Sequence, residues 1–134
     1  MTVRVVAIDG AAGSGKSTLA RLLAAELHLL NVQPNLGGAI ATFVSKDQID
    51  SHHREEGQKG LATASEIAKK AGVAAKVHIG VGRQGEVVSD FVTKLGAGVV
   101  VLGTRGHTGL AGVLLGSVAQ DVIAHVKVPV TLVK

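Results

Sequence analysis

The chain has no cysteine, tryptophan or tyrosine, and only two phenylalanines and one methionine among its 134 residues. Without cysteine it can contain neither a disulfide framework nor a thiol nucleophile. The net charge of +4 favours anionic ligands in general. Nucleic acid is nevertheless a poor candidate, because proteins that bind single strands stack the bases on aromatic rings, and the basic residues here are spread along the chain rather than clustered.

Long apolar runs are also missing. None reaches the roughly 18 residues that a membrane-spanning helix needs, and the amino terminus lacks the charged-then-apolar layout of a secretion signal. A length of 134 residues suits a single hydrophobic core. We therefore expect one domain, in the cytoplasm, with no membrane partner.

The apolar residues that are present, 46% of the chain, occur in short runs that end at glycine or proline. Such runs favour strands that are buried on both faces. The predicted strands are VRVVAI at 3–8, AIATFV at 39–44, AKVHIGV at 75–81, GVVVLGT at 98–104 and PVTLVK at 129–134. Helical spacing between them predicts a doubly wound parallel α/β sheet of five strands alternating with four helices.

The predicted helices are defined by apolar residues at three- and four-residue intervals. The first carries a leucine stripe from about Ser17 to Leu30, and the second runs from about 50 to 71. Two glycines in the second helix, Gly57 and Gly60, predict close packing or local fraying. The other two lie around 87–95 and 115–123, whereas 45–50 has no periodicity and is predicted to be a loop. The adjacent His52 and His53 point about 100° apart on a helix and cannot form a good two-ligand metal face. We expect both to be surface residues.

A complete phosphate-binding signature follows the first predicted strand. Glycines let successive backbone N–H groups form a nest for an anion, a lysine adds a mobile positive charge, and a serine hydroxyl can bind Mg²⁺. The candidate residues are Asp9, Gly10, Gly13, Ser14, Gly15, Lys16, Ser17 and Thr18. The competing interpretation is a plain glycine-rich turn in which a hydroxyl caps the following helix.

A second glycine-rich segment, GTRGHTGLAGVLLGSVAQ at 103–120, follows the fourth predicted strand. Its candidate residues are Gly103, Arg105, Gly106, Gly116 and Ser117. The glycines would let the backbone approach a ribose or phosphate, and the last two residues open a helix whose N-terminus favours anions. A structural alternative makes Ser117 and Gln120 a capping box instead.

From about residue 38 to the C-terminus the chain resembles the universal stress protein family, most clearly in GVVVLGTRGHTGLAGVLLGSVAQDVIAHVKVPVTLVK. The spacing of Gly103, Gly106, Gly116 and Ser117 is the nucleotide-binding pattern of the branch that binds ATP. The resemblance implies strand order 3-2-1-4-5, with ATP between the ends of strands one and four and Asp9 near the nucleoside. It further implies that the backbone around 42–44, including Val44, contacts the base, and that strand five forms a homodimer.

The opening VVAIDGAAGSGKSTLARLLAAEL resembles a different family, the P-loop nucleoside monophosphate kinases of the cytidylate kinase type. We therefore expect one nucleotide-binding domain with a kinase-like β-P-loop-α unit at 1–30 and a universal stress protein portion at 38–134. The boundary would lie within 28–38, an arrangement compatible with an engineered chimera.

Phosphoryl transfer needs more than a phosphate cradle, because a second acid must hold Mg²⁺ and arginines must neutralise charge. The third and fourth predicted strands end without an acid, and only Asp47 lies beyond the second. We therefore expect non-catalytic ATP binding, with Mg²⁺ at Ser17. The alternatives are a weak Mg²⁺-dependent ATPase or rudimentary phosphotransferase using Lys16 and Ser17, and a scaffold that binds no nucleotide.

Overall fold

The computed structural model describes residues 4–8, 26–103 and 115–133. Its strands are β1 (Arg4–Ile8), β2 (Glu26–Gln33), β3 (Ala75–Val81), β4 (Val99–Gly103) and β5 (Val130–Val133). Its helices are α1 (Gly38–Phe43), α2 (Lys46–Lys70), α3 (Gln84–Leu95) and α4 (Ser117–His125). Within these residues, no helix is long and apolar enough to cross a membrane.

The five strands form one parallel sheet in the order β3-β2-β1-β4-β5. The predicted fold class and strand order are therefore confirmed. β1 lies at the centre, where Val6 pairs with His28 of β2 on one side and with Val100 of β4 on the other. The chain builds the sheet outward from β1 to β3 and then crosses to β4, so strand order reverses between β1 and β4.

The second strand is not where the sequence pattern predicted it. Residues 26–33 (ELHLLNVQ) form β2, and residues 38–43 (GAIATF) form the short helix α1. The predicted leucine stripe was wrong at its end, because Leu27 and Leu30 belong to this strand. All six residues from 27 to 32 are buried, as expected for a central strand covered on both faces.

Helix α2 begins earlier than predicted, and segment 45–50 is its first turn rather than a loop. The Ser45 hydroxyl accepts a hydrogen bond from the Gln48 backbone N–H at 3.2 Å, and the Ser45 backbone N–H donates to the Gln48 side chain at 3.0 Å. This reciprocal pair is a capping box. It starts the helix without any apolar periodicity, which explains why the pattern missed it.

The sheet separates two apolar layers. One contains Val6, Leu30 and Val100 together with the buried faces of α3 and α4. The other contains Leu27, Leu29 and Val101 together with the buried face of α2. α2 approaches β3 closely at Gly57, where an added Cβ would lie 2.8 Å from the Ile79 side chain. The close packing predicted for this glycine is therefore present.

Candidate functional site

The crevice at the carboxyl ends of β1 and β4 is the candidate site, because ligands of open α/β sheets bind where strand order reverses. The two strands pair in register up to Ala7 and Val101. One step further, Ile8 is 3% exposed and Leu102 is 2% exposed, and both belong to the same apolar layer. This buried apolar pair directly precedes Asp9 and Gly103, where the two glycine-rich segments begin in the sequence.

Three residues of the second predicted segment lie within the described part of the chain. Gly103 is the last residue of β4 and is half-buried, Gly116 is the N-cap of α4, and Ser117 is the exposed first residue of that helix. The capping-box alternative for Ser117 was wrong, because Gly116 occupies the cap and the Gln120 side chain donates to the Leu115 carbonyl at 2.9 Å. The serine hydroxyl is therefore not needed to start the helix.

The N-termini of α3 and α4 differ in how their free N–H groups are satisfied. In α3 the Gly85 backbone N–H donates to the Asp121 carboxylate at 2.7 Å. In α4 no side chain of the described residues caps the helix, and its first turn has no acid. The field of a helix N-terminus attracts anions. Of these two helices, α4 is the one whose N-terminus has neither a capping side chain nor an acid among the described residues. Its N-terminus can therefore attract an anion from outside them.

The Asp121 carboxylate is held between a backbone N–H group of α3 and the side chains of Arg83 and His125. The Gly85 backbone hydrogen bond lowers the pKa of the Asp121 carboxyl below its usual value, with help from the charges of Arg83 and His125. The Arg83 guanidinium lies 3.2 Å from the carboxylate and the His125 ring 3.4 Å from it. The carboxylate thus joins the start of α3 to α4 and fixes the orientation of the two helices relative to each other.

The residues at the end of the second strand are not those that the sequence predicted. Val44 is the C-cap of α1, well beyond the strand, so its predicted position at the end of β2 was wrong. β2 instead ends in polar residues, where the Gln33 side chain donates to Asn31 at 2.7 Å. The Gln84 side chain donates to the Val32 carbonyl at 3.2 Å. The run NVQP after LHLL carried this signal, which sequence reasoning interpreted as a break.

Several other predicted positions have a clear outcome or lie outside the described residues. Asp9 to Thr18, Arg105 and Gly106 are outside them. Asp47 is exposed in the first turn of α2. Within the described ranges, no three histidine or acidic side chains form a group that could hold a metal ion.

His53 was wrongly predicted to be a surface residue. It is 5% exposed, and its Nε2 donates to the Pro34 carbonyl at 3.1 Å, immediately after β2. The adjacent His52 is exposed, as predicted. His53 therefore fixes the chain as it leaves the carboxyl edge of the sheet.

Comparison with known proteins agrees with this geometry. The model of the universal stress protein family matches residues 5–134, further toward the amino terminus than the resemblance had indicated. A universal stress protein of Methanocaldococcus jannaschii is 33% identical over 108 residues, which cover 81% of this chain and 62% of that protein. One of Synechocystis is 37% identical over 109 residues, covering 78% of this chain and 70% of its own length. The chain thus spans somewhat less than two thirds of the first relative.

A solved structure adds a bound ligand to the comparison. The universal stress protein of Archaeoglobus fulgidus, in complex with dAMP, superposes with a TM-score of 0.67 at 25% identity. The superposition covers 100% of this chain and 98% of that one. A relative with the same fold over its whole length therefore holds a nucleotide.

Proposed function

The chain belongs to the universal stress protein family, and from that premise we propose that it binds an adenine nucleotide, ATP, in the crevice between β1 and β4. The observation that carries the proposal is the start of α4, which no described side chain caps and which follows the segment that leaves β4 at Gly103. The dAMP complex of the Archaeoglobus fulgidus relative supports it.

Each candidate residue has a role in this proposal. The backbone N–H groups at Gly116 and Ser117 receive phosphate oxygens, and Arg105 neutralises their charge. The loop from Gly10 to Thr18 adds a second set of N–H groups, with Lys16 on the outer phosphates and the Ser17 hydroxyl on Mg²⁺. Asp9 faces the nucleoside. The base lies against the true end of β2 at 31–33, which takes the place of Val44.

Two substitutions of Gly116, the N-cap of α4, separate the effect of a negative charge on nucleotide binding from the effect of a larger side chain. Gly116 has φ −68° and ψ 162°, which any L-residue can adopt, and both asparagine and aspartate are preferred N-caps. Gly116→Asn and Gly116→Asp should therefore both fold. Only Gly116→Asp places a carboxylate where the phosphates bind, and we expect it to weaken binding at least about tenfold relative to Gly116→Asn, or about 1.4 kcal/mol.

The measurement is calorimetric titration with ATP, with and without Mg²⁺. Lys16→Ala tests the first loop, and Lys59→Ala, an exposed lysine on α2, is its matched control. A loss confined to Lys16→Ala would place the phosphates on the first loop alone, and a loss confined to Gly116→Asp would place them on the second. Absence of ATP binding by the parent chain at millimolar concentration would overturn the proposal in favour of a scaffold that binds no nucleotide.

Hydrolysis is the second candidate, and only the spacing of Lys16 and Ser17 favours it. The described ends of β3 and β4 provide no acid for a second Mg²⁺ contact. We therefore expect negligible phosphate release under saturating Mg²⁺-ATP. Turnover that disappears in Lys16→Ala would instead establish the ATPase.

We also propose a homodimer through β5. This strand is an edge of the sheet, and Leu132 on it is 40% exposed. Exposed apolar edges favour pairing with another copy. Light scattering after size exclusion should give twice the chain mass, and Leu132→Lys should give the monomer. A monomeric parent chain at working concentration would contradict this assembly.

A further inference from the structure

A cluster of charged and imidazole side chains lies at the opposite end of the sheet from the proposed nucleotide crevice. It comprises Arg4 of β1, Glu26 and His28 of β2, and Lys76 and His78 of β3. We call it the amino-edge cluster. Nothing in the proposed nucleotide function uses it, although it connects three neighbouring strands through side chains on one face of the sheet.

Glu26 is the acceptor at the end of this cluster. Its Oε1 accepts from Lys76 Nζ at 2.8 Å and from His28 Nε2 at 3.0 Å, and its Oε2 accepts from Arg4 Nε at 3.1 Å. The hydrogen bonds from Lys76 and Arg4 lower the pKa of Glu26 to about 2. The carboxylate is therefore ionised near neutral pH and can only accept hydrogen bonds.

The ionised carboxylate determines the proton positions in both imidazoles. His28 Nε2 must carry a hydrogen to donate to Glu26, so Nδ1 of the neutral ring is an acceptor. That Nδ1 lies 2.8 Å from His78 Nε2, which must therefore be the donor. His28 is 2% exposed, so no bulk water replaces either partner. The result is a one-directional chain of hydrogen bonds from β3 to β2.

The surroundings of this chain oppose additional positive charge. Burial, together with the charges of His28, Lys94 and Lys76, lowers the pKa of His78. The His78 ring packs on Phe91 of α3 at 5.5 Å between centroids, and the ammonium of Lys94 lies 5.9 Å from the Phe91 centroid. A proton on each imidazole would leave two N–H donors facing one another across 2.8 Å. The closed cluster therefore cannot hold a proton on both rings at once.

β3 is the element that depends on this chain. Among the strands that the structure describes, it lies at one edge of the sheet and pairs with β2. The Lys76 side chain hydrogen-bonds to Glu26 and the His78 side chain to His28. These contacts join the first half of β3 to β2 in addition to the backbone ladder. Further along the same face, Gly80 has no side chain to contribute. Loss of the imidazole contact would leave this half of β3 joined to β2 by the Lys76–Glu26 ion pair and the backbone ladder.

We propose that the amino-edge cluster is a proton-sensitive contact of edge strand β3, which holds the strand while its two imidazoles share at most one additional proton and releases it when both rings are protonated. Lysine and arginine side chains ordinarily keep their charge between pH 5.5 and 7.5. Imidazole is the side-chain group that ordinarily changes its charge in this range. Acidification opens β3 locally before the rest of the sheet unfolds.

Amide hydrogen exchange followed by mass spectrometry at pH 7.5, 6.5 and 5.5 tests this proposal. An opening that takes up protons becomes more populated as the pH falls, and we expect peptides of β3 to lose at least about threefold more protection than peptides of β4. His78→Gln keeps a side-chain donor that does not titrate, so its β3 peptides should show no such excess loss. His52→Gln, at an exposed histidine, should behave as the parent chain.

Two results would overturn the proposal: equal changes in β3 and β4 of the parent chain, or an unchanged excess loss in His78→Gln. If that variant does not fold, a second measurement on the parent chain alone still tests the proposal. In the parent chain the protection of β3, corrected for the intrinsic exchange rate at each pH, should fall from pH 7.5 to 5.5, because the opened strand takes up protons. Corrected protection of β3 that is independent of pH would also refute it.

Discussion

Gly85→Ala tests how rigidly α3 is held against α4. Gly85 is the second residue of α3, and a Cβ there would overlap the Asp121 carbonyl oxygen and lie 2.5 Å from His125 Nδ1. The first of these atoms is helix backbone and cannot rotate away. Both contacts are about 1 Å shorter than ordinary van der Waals contact, so the helices must separate.

The magnitude follows from three contributions. Overpacking of this kind costs about 1 to 3 kcal/mol. Separation also breaks the hydrogen bond from the Gly85 N–H to the Asp121 carboxylate. Alanine regains about 1 kcal/mol of helix propensity over glycine. The last two effects act in opposite directions, so the net loss in free energy of unfolding stays near the overpacking cost of about 1 to 3 kcal/mol, against a typical total of about 5 to 15.

Urea unfolding followed by circular dichroism measures this loss, and thermal melting should show a decrease in Tm on the order of 5 to 20 °C. Gly38→Ala is the matched control, because a Cβ at Gly38, the first residue of α1, meets nothing within 4 Å. We expect it to be neutral or stabilising by up to about 1 kcal/mol.

A double-mutant cycle with Asp121→Asn adds a further check. If the two residues act through one helix contact, the double variant should lose less stability than the sum of the single variants. The reasoning is refuted if Gly85→Ala is as stable as Gly38→Ala, because α3 and α4 would then separate without any loss in free energy of unfolding.

Three further predictions concern stability and use the same urea assay. Ser45→Ala removes the capping hydroxyl that Gln48 uses and should cost about 1 kcal/mol, and an unchanged midpoint would mean that the capping box is dispensable. Val100→Ala, at a fully buried position, should cost about 2 kcal/mol, whereas Val77→Ala, 45% exposed, should cost well under half of that; equal losses would contradict the assigned core. Because the folded pKa of Glu26 is about 2 against an ordinary 4.5, its contribution is present above about pH 5 and lost as the pH falls toward 2. The stability difference between the parent chain and Glu26→Gln should therefore shrink over that range, and a constant difference would contradict the pairing.

Sequence reasoning succeeded where glycine or proline bounds an apolar run. β3 was predicted with its observed limits, and β1, β4 and β5 within one or two residues. These runs lie between clear turn signals, so their period and length agree. The parallel sheet follows from them, whereas its strand order came from the resemblance to the universal stress protein family. This order places the crevice between β1 and β4.

The failures have a common physical cause, which is that β2 follows a leucine-rich segment without any turn signal. In ELHLLNVQ, Leu27 and Leu30 continue a helical spacing from the preceding leucines, although the run is short and buried on both faces. Periodicity alone cannot separate a buried strand from a buried helix segment. Once this strand was misplaced, AIATFV at 39–44 was taken as its replacement, and Val44 was assigned to an edge of the sheet that it does not reach.

The position of β2 also limits where the kinase-like opening can end. Glu26, its first residue, already pairs with Arg4 of β1 and accepts a hydrogen bond from Lys76 of β3. From that residue the strand is in register with β1, and from Leu27 with β3 up to Gln33. A boundary within 28–33 would cut a strand whose residues supply both apolar layers of the core. The β1 residues Val6, Ala7 and Ile8 supply the same two layers. The family model matches residues 5–134, so it covers both strands that meet at the centre of the sheet.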